Sequence, residues 1–230
     1  MATAPGPRQL ALALDHAESF AREDFLASGC NESALNLIDR WPDWPGRVMV
    51  LVGPAGAGKS HLAAIWAERA GARIAAARAL DRSNPLAALA TGALVLEDLT
   101  PGEFDEPALF HLLNLAREES AYLLITALSQ PAGWLTGLPD LASRLRAIPV
   151  VTLSAPDDEL LRAVLVKLFA DRQLAVDESL VGYLMTRLER SFPAARAAVE
   201  RLDREAMQRK RPVSRALAAE LYRGEAETRS

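Results

Sequence analysis

Apolar positions along the chain fall into two patterns. Short, nearly unbroken runs of Val, Leu, Ile and Ala occur at 47–53 (RVMVLVG), 72–77 (ARIAAA), 93–99 (ALVLEDL), 121–128 (AYLLITAL) and 149–153 (PVVTL). Runs of this length without polar alternation read as strands buried on both faces. Between them the spacing turns helical: SHLAAIWAERA at 60–70 puts Leu62, Ile65 and Trp66 on one side, and EPALFHLLNLAREE covers 106–119. Strands alternating with helices predict an α/β core, a parallel sheet with helices on both faces, because right-handed crossovers must cover both sides.

After Ala155-Pro156 the strand signals cease. Three helical segments follow, DDELLRAVLVKLFADR from 157, DESLVGYLMTRLER from 177 and PAARAAVERLDREAMQRK from 193. Asp caps open the first two and Pro193 suits a first helical turn, so the segment reads as a small three-helix lid. At the other end, residues 1–8 (MATAPGPR) read as a flexible leader, and 19–41 as an acidic, weakly helical stretch closed by the WPDWPG turn cluster. The expected plan is a leader at 1–18, a core at 19–155 and a helical lid at 156–230.

Composition narrows the function. The 230 residues carry 26 Lys plus Arg against 30 Asp plus Glu, a formal charge of −4, so bulk positive charge cannot hold DNA. Apolar residues at 50% exclude wholesale disorder. One cysteine, Cys30, excludes an internal disulfide, and a reducing, cytoplasmic setting is expected. No apolar run approaches the ~18 residues of a membrane span, and no membrane partner is expected. His16, His61 and His111 stand apart with no Ser/His/Asp or Cys/His arrangement, which removes support for hydrolytic or thiol chemistry. Arg201, Arg204, Arg209, Lys210 and Arg211 alternate with acids and read as a solvated helix face.

The chemistry is carried by GPAGAGKS at 53–60, which fits G-x-x-x-x-G-K-[ST] and lies between a predicted strand and a predicted helix. Gly53, Gly56 and Gly58 let backbone N–H groups turn towards one centre, and Pro54, Ala55 and Ala57 complete the loop. Lys59 reaches the β- and γ-phosphates, Ser60 can ligate Mg²⁺, and His61 follows in the first helical turn. ATP or ADP with Mg²⁺ is the cofactor this loop implies. LVLED at 94–98 delivers Glu97 and Asp98 to the C-terminal edge of the sheet, where open α/β proteins place ligands. Glu97 is set with Ser60 on the metal and Asp98 with the catalytic step, the order of the two acids remaining open.

With the P-loop, the acidic strand, the SRL segment at 143–145 and the lid, the chain resembles the AAA+ nucleotide-binding proteins of the DnaA type over nearly its whole length. The resemblance implies an AAA+ P-loop core with a helical lid. Gln9-Leu10-Ala11-Leu12-Ala13-Leu14 resembles the Q-L-x-L-x-L peptide with which regulators of this family dock on the sliding clamp of DNA polymerase, with Ala13 where their peptide carries Pro. Gln9 would supply hydrogen bonds and Leu10, Leu12 and Leu14 apolar anchors; packing of these leucines on the core is the alternative. Arg144 matches the arginine of the family's SRF/SRL box, which reaches ATP on a neighbouring subunit, and Arg146 is its competitor. The implied function is negative regulation of chromosomal replication initiation: clamp docking, then stimulation of ATP hydrolysis by DnaA, with at most weak turnover of its own. The implied partners are the clamp, DnaA, DNA reached through the clamp, and a second copy of this chain. For the second sensor, Pro193 falls where the family has arginine; Arg196 is assigned the role, with Arg190 as alternative. The first sensor would be Thr126 or Ser129, and Phe25, Leu26 and Asn31 resemble the segment that packs on adenine. The competing class is a DNA-remodelling ATPase or helicase loader of the DnaC type, which shares the core motifs; a small-molecule P-loop kinase shares only the loop.

Overall fold

The computed structural model describes residues 20–80 and 89–223. The candidate clamp peptide, Gln9 to Leu14, lies outside the described residues. The elements run α1 (Glu32–Arg40), β1 (Val48–Val52), α2 (Lys59–Ala70), β2 (Arg73–Ala76), β3 (Ala93–Leu99), α3 (Glu106–Glu118), β4 (Tyr122–Ala127), α4 (Pro139–Ala147), β5 (Val150–Thr152), α5 (Asp158–Asp171), α6 (Glu178–Met185), α7 (Phe192–Arg209) and α8 (Arg215–Tyr222).

The five strands form one sheet in the order β2-β3-β4-β1-β5, every pair parallel. Val50 in the middle of β1 faces Ile125 of β4 and Val150 of β5. Alternation along the strands splits the core in two. Val50, Val52, Leu94, Leu96, Leu123 and Ile125 meet Leu109, Leu112 and Leu113 of α3 and Leu141 and Leu145 of α4. Met49, Leu51, Val95 and Leu124 meet α1 and α2 through Leu35, Ile38, Leu62 and Trp66. Burial on both faces explains why these strands lack polar alternation.

The C-terminal helices hold a third cluster, with Leu161, Leu165 and Phe169 of α5 against Leu180 and Leu184 of α6 and Val199 and Leu202 of α7. A fourth helix, α8, joins the three expected ones: Ser214 caps it by accepting from the Leu217 N–H, and Leu217 and Ala218 enter the same cluster. The weakly helical stretch expected at 19–41 forms its α-helix in the second half. Only α1 is regular, preceded by one 3₁₀ turn at Arg22–Asp24, because the Asn31 side chain closes the loop before it by accepting from Ser28 N–H and donating to Leu26 C=O.

Lys167 on α5 ties this N-terminal segment to the lid, 2.8 Å from Asp24 and 3.0 Å from Asp171. The hydrogen bonds it donates to Asp24 and then to Asp171 hold its ammonium above the usual lysine range. A raised folded-state pKa contributes stability that is complete below the ordinary lysine value and is lost as pH rises through the raised one. Lys167→Met should therefore cost about 0.5–1 kcal/mol near neutral pH, as expected for a partly exposed network. In urea melts the gap should close in strongly alkaline buffer; a pH-independent gap would assign the effect to packing.

Candidate functional site

The loop that leaves β1 is squeezed from three sides. At its entrance Gly53 donates to Ala127 C=O of β4 at 3.2 Å, while Leu153 after β5 donates to Val52 C=O at 2.7 Å. A Cβ at Gly53 would sit 2.5 Å from the Leu153 carbonyl oxygen, so no side chain fits. Further along, Gly56 (φ +72°) and Gly58 (φ +95°) adopt left-handed backbone that lets the chain turn into α2. Asp105, Asp157, Asp177, Ser191 and Ser214 cap α3, α5, α6, α7 and α8 with their side chains. At α2 the N-cap is Gly58 and no side chain caps the helix. Such a terminus presents backbone N–H groups and the positive end of the helix dipole to an anion.

Lys59 is only 7% exposed. Its ammonium donates to the carbonyls of Gly53 at 2.7 Å and Pro54 at 2.8 Å. Burial pushes its pKa down, and the negative charge of Asp98 works in the opposite sense. Ser60 follows, exposed, in the first turn of α2. His61 lies edge-on to Phe20 and Phe25, each 5.3 Å between ring centres, with Nε2 3.2 Å from Ala21 C=O. Those contacts hold the N-terminal segment against α2.

At the end of β3, Glu97 is half-buried and Asp98 exposed. The ladder with β4 is irregular between Leu96 and Leu99, and Asp98 takes φ +57°. Its N–H donates to the hydroxyl of Thr126 at 2.9 Å. Of the two first-sensor candidates, buried Thr126 thus supports the acidic turn, whereas Ser129 accepts from Trp134 Nε1 at 2.9 Å.

The lid closes the third side. Phe192 at the start of α7 donates its N–H to Gly56 C=O at 3.2 Å. Ser191 Cβ and Pro193 Cδ each stand 2.8 Å from where a Gly56 Cβ would be, and the Phe192 and Phe25 rings lie 3.2 and 3.5 Å from the corresponding point at Gly58. Phe25, one of the residues that resemble the adenine-packing segment, is therefore beside the loop, and Phe192 joins it unforeseen; the signal was an aromatic directly before Pro193 at a helix start. Asn31, 2% exposed, uses both ends of its amide inside its own loop, next to half-buried Leu26. Arg196 is half-buried in the second turn of α7, while Arg190 pairs with Asp158 at 3.0 Å.

Arg144 is elsewhere. With Arg47, Val48, Leu113, Arg117 and Ile148 it lines a groove of about 370 Å³. Arg47 and Val48 precede or begin β1, so this groove is at the edge where strands start, and the P-loop is where β1 ends. The Arg144 guanidinium lies 5.1 Å from the Phe110 ring centre. Arg146 is exposed and donates to Ser143 Oγ at 3.1 Å. The basic lid residues are partly spent on acids: Arg209 pairs with Glu205 and Glu220, and Arg211 with Glu220.

Among the described residues no group of three His, Cys, Asp or Glu side chains could hold a metal by itself. One hydroxyl and two neighbouring carboxylates suit Mg²⁺ that arrives with phosphate, since that ion keeps waters and takes few protein ligands. Exposed Ser60 and the acids Glu97 and Asp98 at the end of β3 offer donors of that kind.

The site thus sits on a parallel sheet of order β2-β3-β4-β1-β5, with a G-x-x-x-x-G-K-[ST] loop after β1 and a helical bundle after β5. Among solved structures the fold is similar to domain III of the replication initiation protein DnaA from Thermotoga maritima (TM-score 0.72, 16% identity, 89% of this chain and 96% of that one). RuvB from Thermotoga maritima (TM-score 0.70, 15% identity, 89% and 72%) and AMPPCP-bound DnaA from Aquifex aeolicus (TM-score 0.65, 15% identity, 83% and 70%) are also similar. No protein-family profile and no curated protein matches the sequence.

The squeeze at Gly56 makes a prediction against an internal control. Gly71 also has positive φ (+62°) but nothing within 4 Å of a Cβ. Gly71→Ala should cost about 1–2 kcal/mol of backbone strain. Gly56→Ala adds a clash with the lid and should cost about 1–3 kcal/mol more. Equal costs in urea melts would show that α7 does not rest on the loop.

Proposed function

We propose that this chain binds ATP or ADP with Mg²⁺ at Gly53–Ser60 and serves replication control as a DnaA-like AAA+ regulator. In this reading it works as Hda does, docking on the sliding clamp and stimulating ATP hydrolysis on DnaA. The fold shared with DnaA and RuvB supports a DNA-related AAA+ role, and the AMPPCP-bound DnaA neighbour supports a nucleotide as the P-loop ligand. Among the described residues no helix is long and apolar enough to cross a membrane.

The chemistry follows from the chain's own groups. The glycine loop and the α2 N-terminus would bind phosphate oxygens through backbone N–H groups. Lys59 would exchange two carbonyl partners for phosphates, which favour its charged form where burial opposes it. Ser60 with one of the two acids, Glu97 or Asp98, would hold Mg²⁺, which neutralises phosphate charge when bound. Phe25 and Phe192 offer apolar surface beside Gly58 for the base. Exposed Leu128 follows β4 where an amide or carboxylate could have oriented water, which supports weak turnover by this chain itself.

The observation that carries the regulatory reading is the placement of Arg144. It belongs to the strand-start edge, away from its own P-loop, and has no carboxylate partner among the described residues. An arginine so placed serves phosphate on another molecule: its guanidinium neutralises charge on a transferring phosphoryl group, an effect worth about 10³–10⁵ in rate where it operates. The leader with Gln9, Leu10, Leu12 and Leu14 would supply the clamp tether, bringing DnaA and Arg144 together on DNA.

The test follows ATP preloaded on DnaA, with DNA-loaded clamp and this protein. Wild type should speed conversion to ADP only when clamp is present. Arg144→Ala should bind clamp and nucleotide normally yet lose about 10³-fold or more of the stimulation; stimulation that survives would remove Arg144 from the role. Gln9→Ala with Leu12→Ala should lose clamp binding. No acceleration by wild type, with ATP and ADP each tried, would favour a helicase loader acting on its own ATP.

A further inference from the structure

Among the described residues four that are not glycine have positive φ: Asp98, Ser120, Gln173 and Lys210. Ser120 and Gln173 follow the C-caps of α3 and α5, and Lys210 caps α7; a left-handed residue is a common way to end a helix. Asp98 alone stands inside a strand. No helix ending explains it.

The ladder shows what does. Leu96 faces Ile125 and Leu99 faces Ala127, so Glu97 and Asp98 together oppose the single residue Thr126. That is a bulge, one extra residue on β3, and it breaks the alternation of sides along the strand. A bulge leaves a backbone N–H without its ladder partner. Here the Asp98 N–H donates to Thr126 Oγ1 at 2.9 Å, and the Asp98 carbonyl accepts from Thr100 Oγ1 at 3.2 Å. Thr126 is fully buried and is, among the described residues, one of four buried polar or charged ones, with Asn31, Lys59 and Ser191. A buried hydroxyl needs a partner, and this one has it at the acidic turn.

We infer that Thr126 is the positioning residue of the phosphate site: its hydroxyl holds the bulge that makes Asp98, rather than Glu97, the acid serving the metal. The inference deepens the nucleotide reading above and rests on it. In regular β3 the two acids would alternate sides by strand geometry. The bulge sets Asp98 apart, with its backbone pinned on both sides, while Glu97 stays in register with Ala76 of β2. Thr126 is buried and acts through the Asp98 backbone, which separates it from a residue that orients water.

Thr126→Val keeps the shape and removes the hydroxyl; Thr126→Ser keeps the hydroxyl. Two readouts apply to the full chain. In the protein without nucleotide, amide hydrogen exchange at Asp98 should be at least tenfold faster in Thr126→Val and near wild type in Thr126→Ser. With a fluorescent ATP analogue, Thr126→Val should bind within twofold of wild type in EDTA but lose at least tenfold of the affinity gained on adding Mg²⁺, and Thr126→Ser should recover it. Thr126→Ala is the second hydroxyl-free variant should Thr126→Val fail to fold. Unchanged exchange at Asp98 together with unchanged Mg²⁺ dependence would overturn the inference and leave the nucleotide reading standing. Wild type that binds no analogue with or without Mg²⁺ would overturn both.

Discussion

The architecture of this site depends on one close approach. Where β1 ends, the backbone of Gly53 passes so near the Leu153 carbonyl that a side chain would lie 2.5 Å from it. β4 and β5 grip the chain on either side, so the loop can leave the sheet only by turning sharply towards α2. That turn buries Lys59, and an ammonium taken from water must find acceptors or lose its charge. Gly53 and Pro54 provide them from the loop itself. The loop is thus folded around its own cation, and phosphate would enter by replacing carbonyl partners with stronger ones.

The same loop joins the two hydrophobic assemblies. The lid has its own apolar cluster, so its helices need nothing from the sheet to pack with one another. What attaches the start of α7 to the core is the Phe192 bond to Gly56 and the contacts of Ser191 and Pro193. The Phe192 ring then comes over Gly58 from the lid side and Phe25 from the N-terminal side. A loop of glycines serves both needs: it admits backbone to an anion, and it lets two elements distant in sequence approach within van der Waals contact.

Much of this was legible because the signals were local. Unbroken apolar runs gave five strands within a residue or two, and the P-loop pattern located its turn between β1 and α2. Helix α8 was passed over because it is short and follows Pro212, although Ser214 carries a side-chain cap. The weakly helical stretch expected at 19–41 keeps its α-helix to Glu32–Arg40 for a tertiary reason: Phe25 is buried at the P-loop and Asn31 spends its amide on loop closure, so the segment bends to deliver a ring. Thr126 was visible only as a sensor candidate. Its partner is the N–H of a residue 28 positions earlier, freed by a bulge that no periodicity announces.

The N-terminal segment gives the molecule its polarity. Phe20 and Phe25 meet the His61 ring, Arg22 pairs with Asp39 of α1, and Asp24 pairs with Lys167 of the lid, all within six residues. From Phe20 to Phe25 the chain therefore forms an anchor that touches α1, α2 and the lid at once. Arg144 belongs to the opposite edge of the sheet, among Arg47 and Arg117 over an apolar floor. That groove and the P-loop lie at opposite ends of the same parallel strands. Rigid, doubly covered strands keep those ends at a fixed separation. In the reading proposed above, Arg144 would serve another molecule without leaving its place in the fold, while β5, the lid and the N-terminal anchor hold the glycine loop and the start of α2 at the other end.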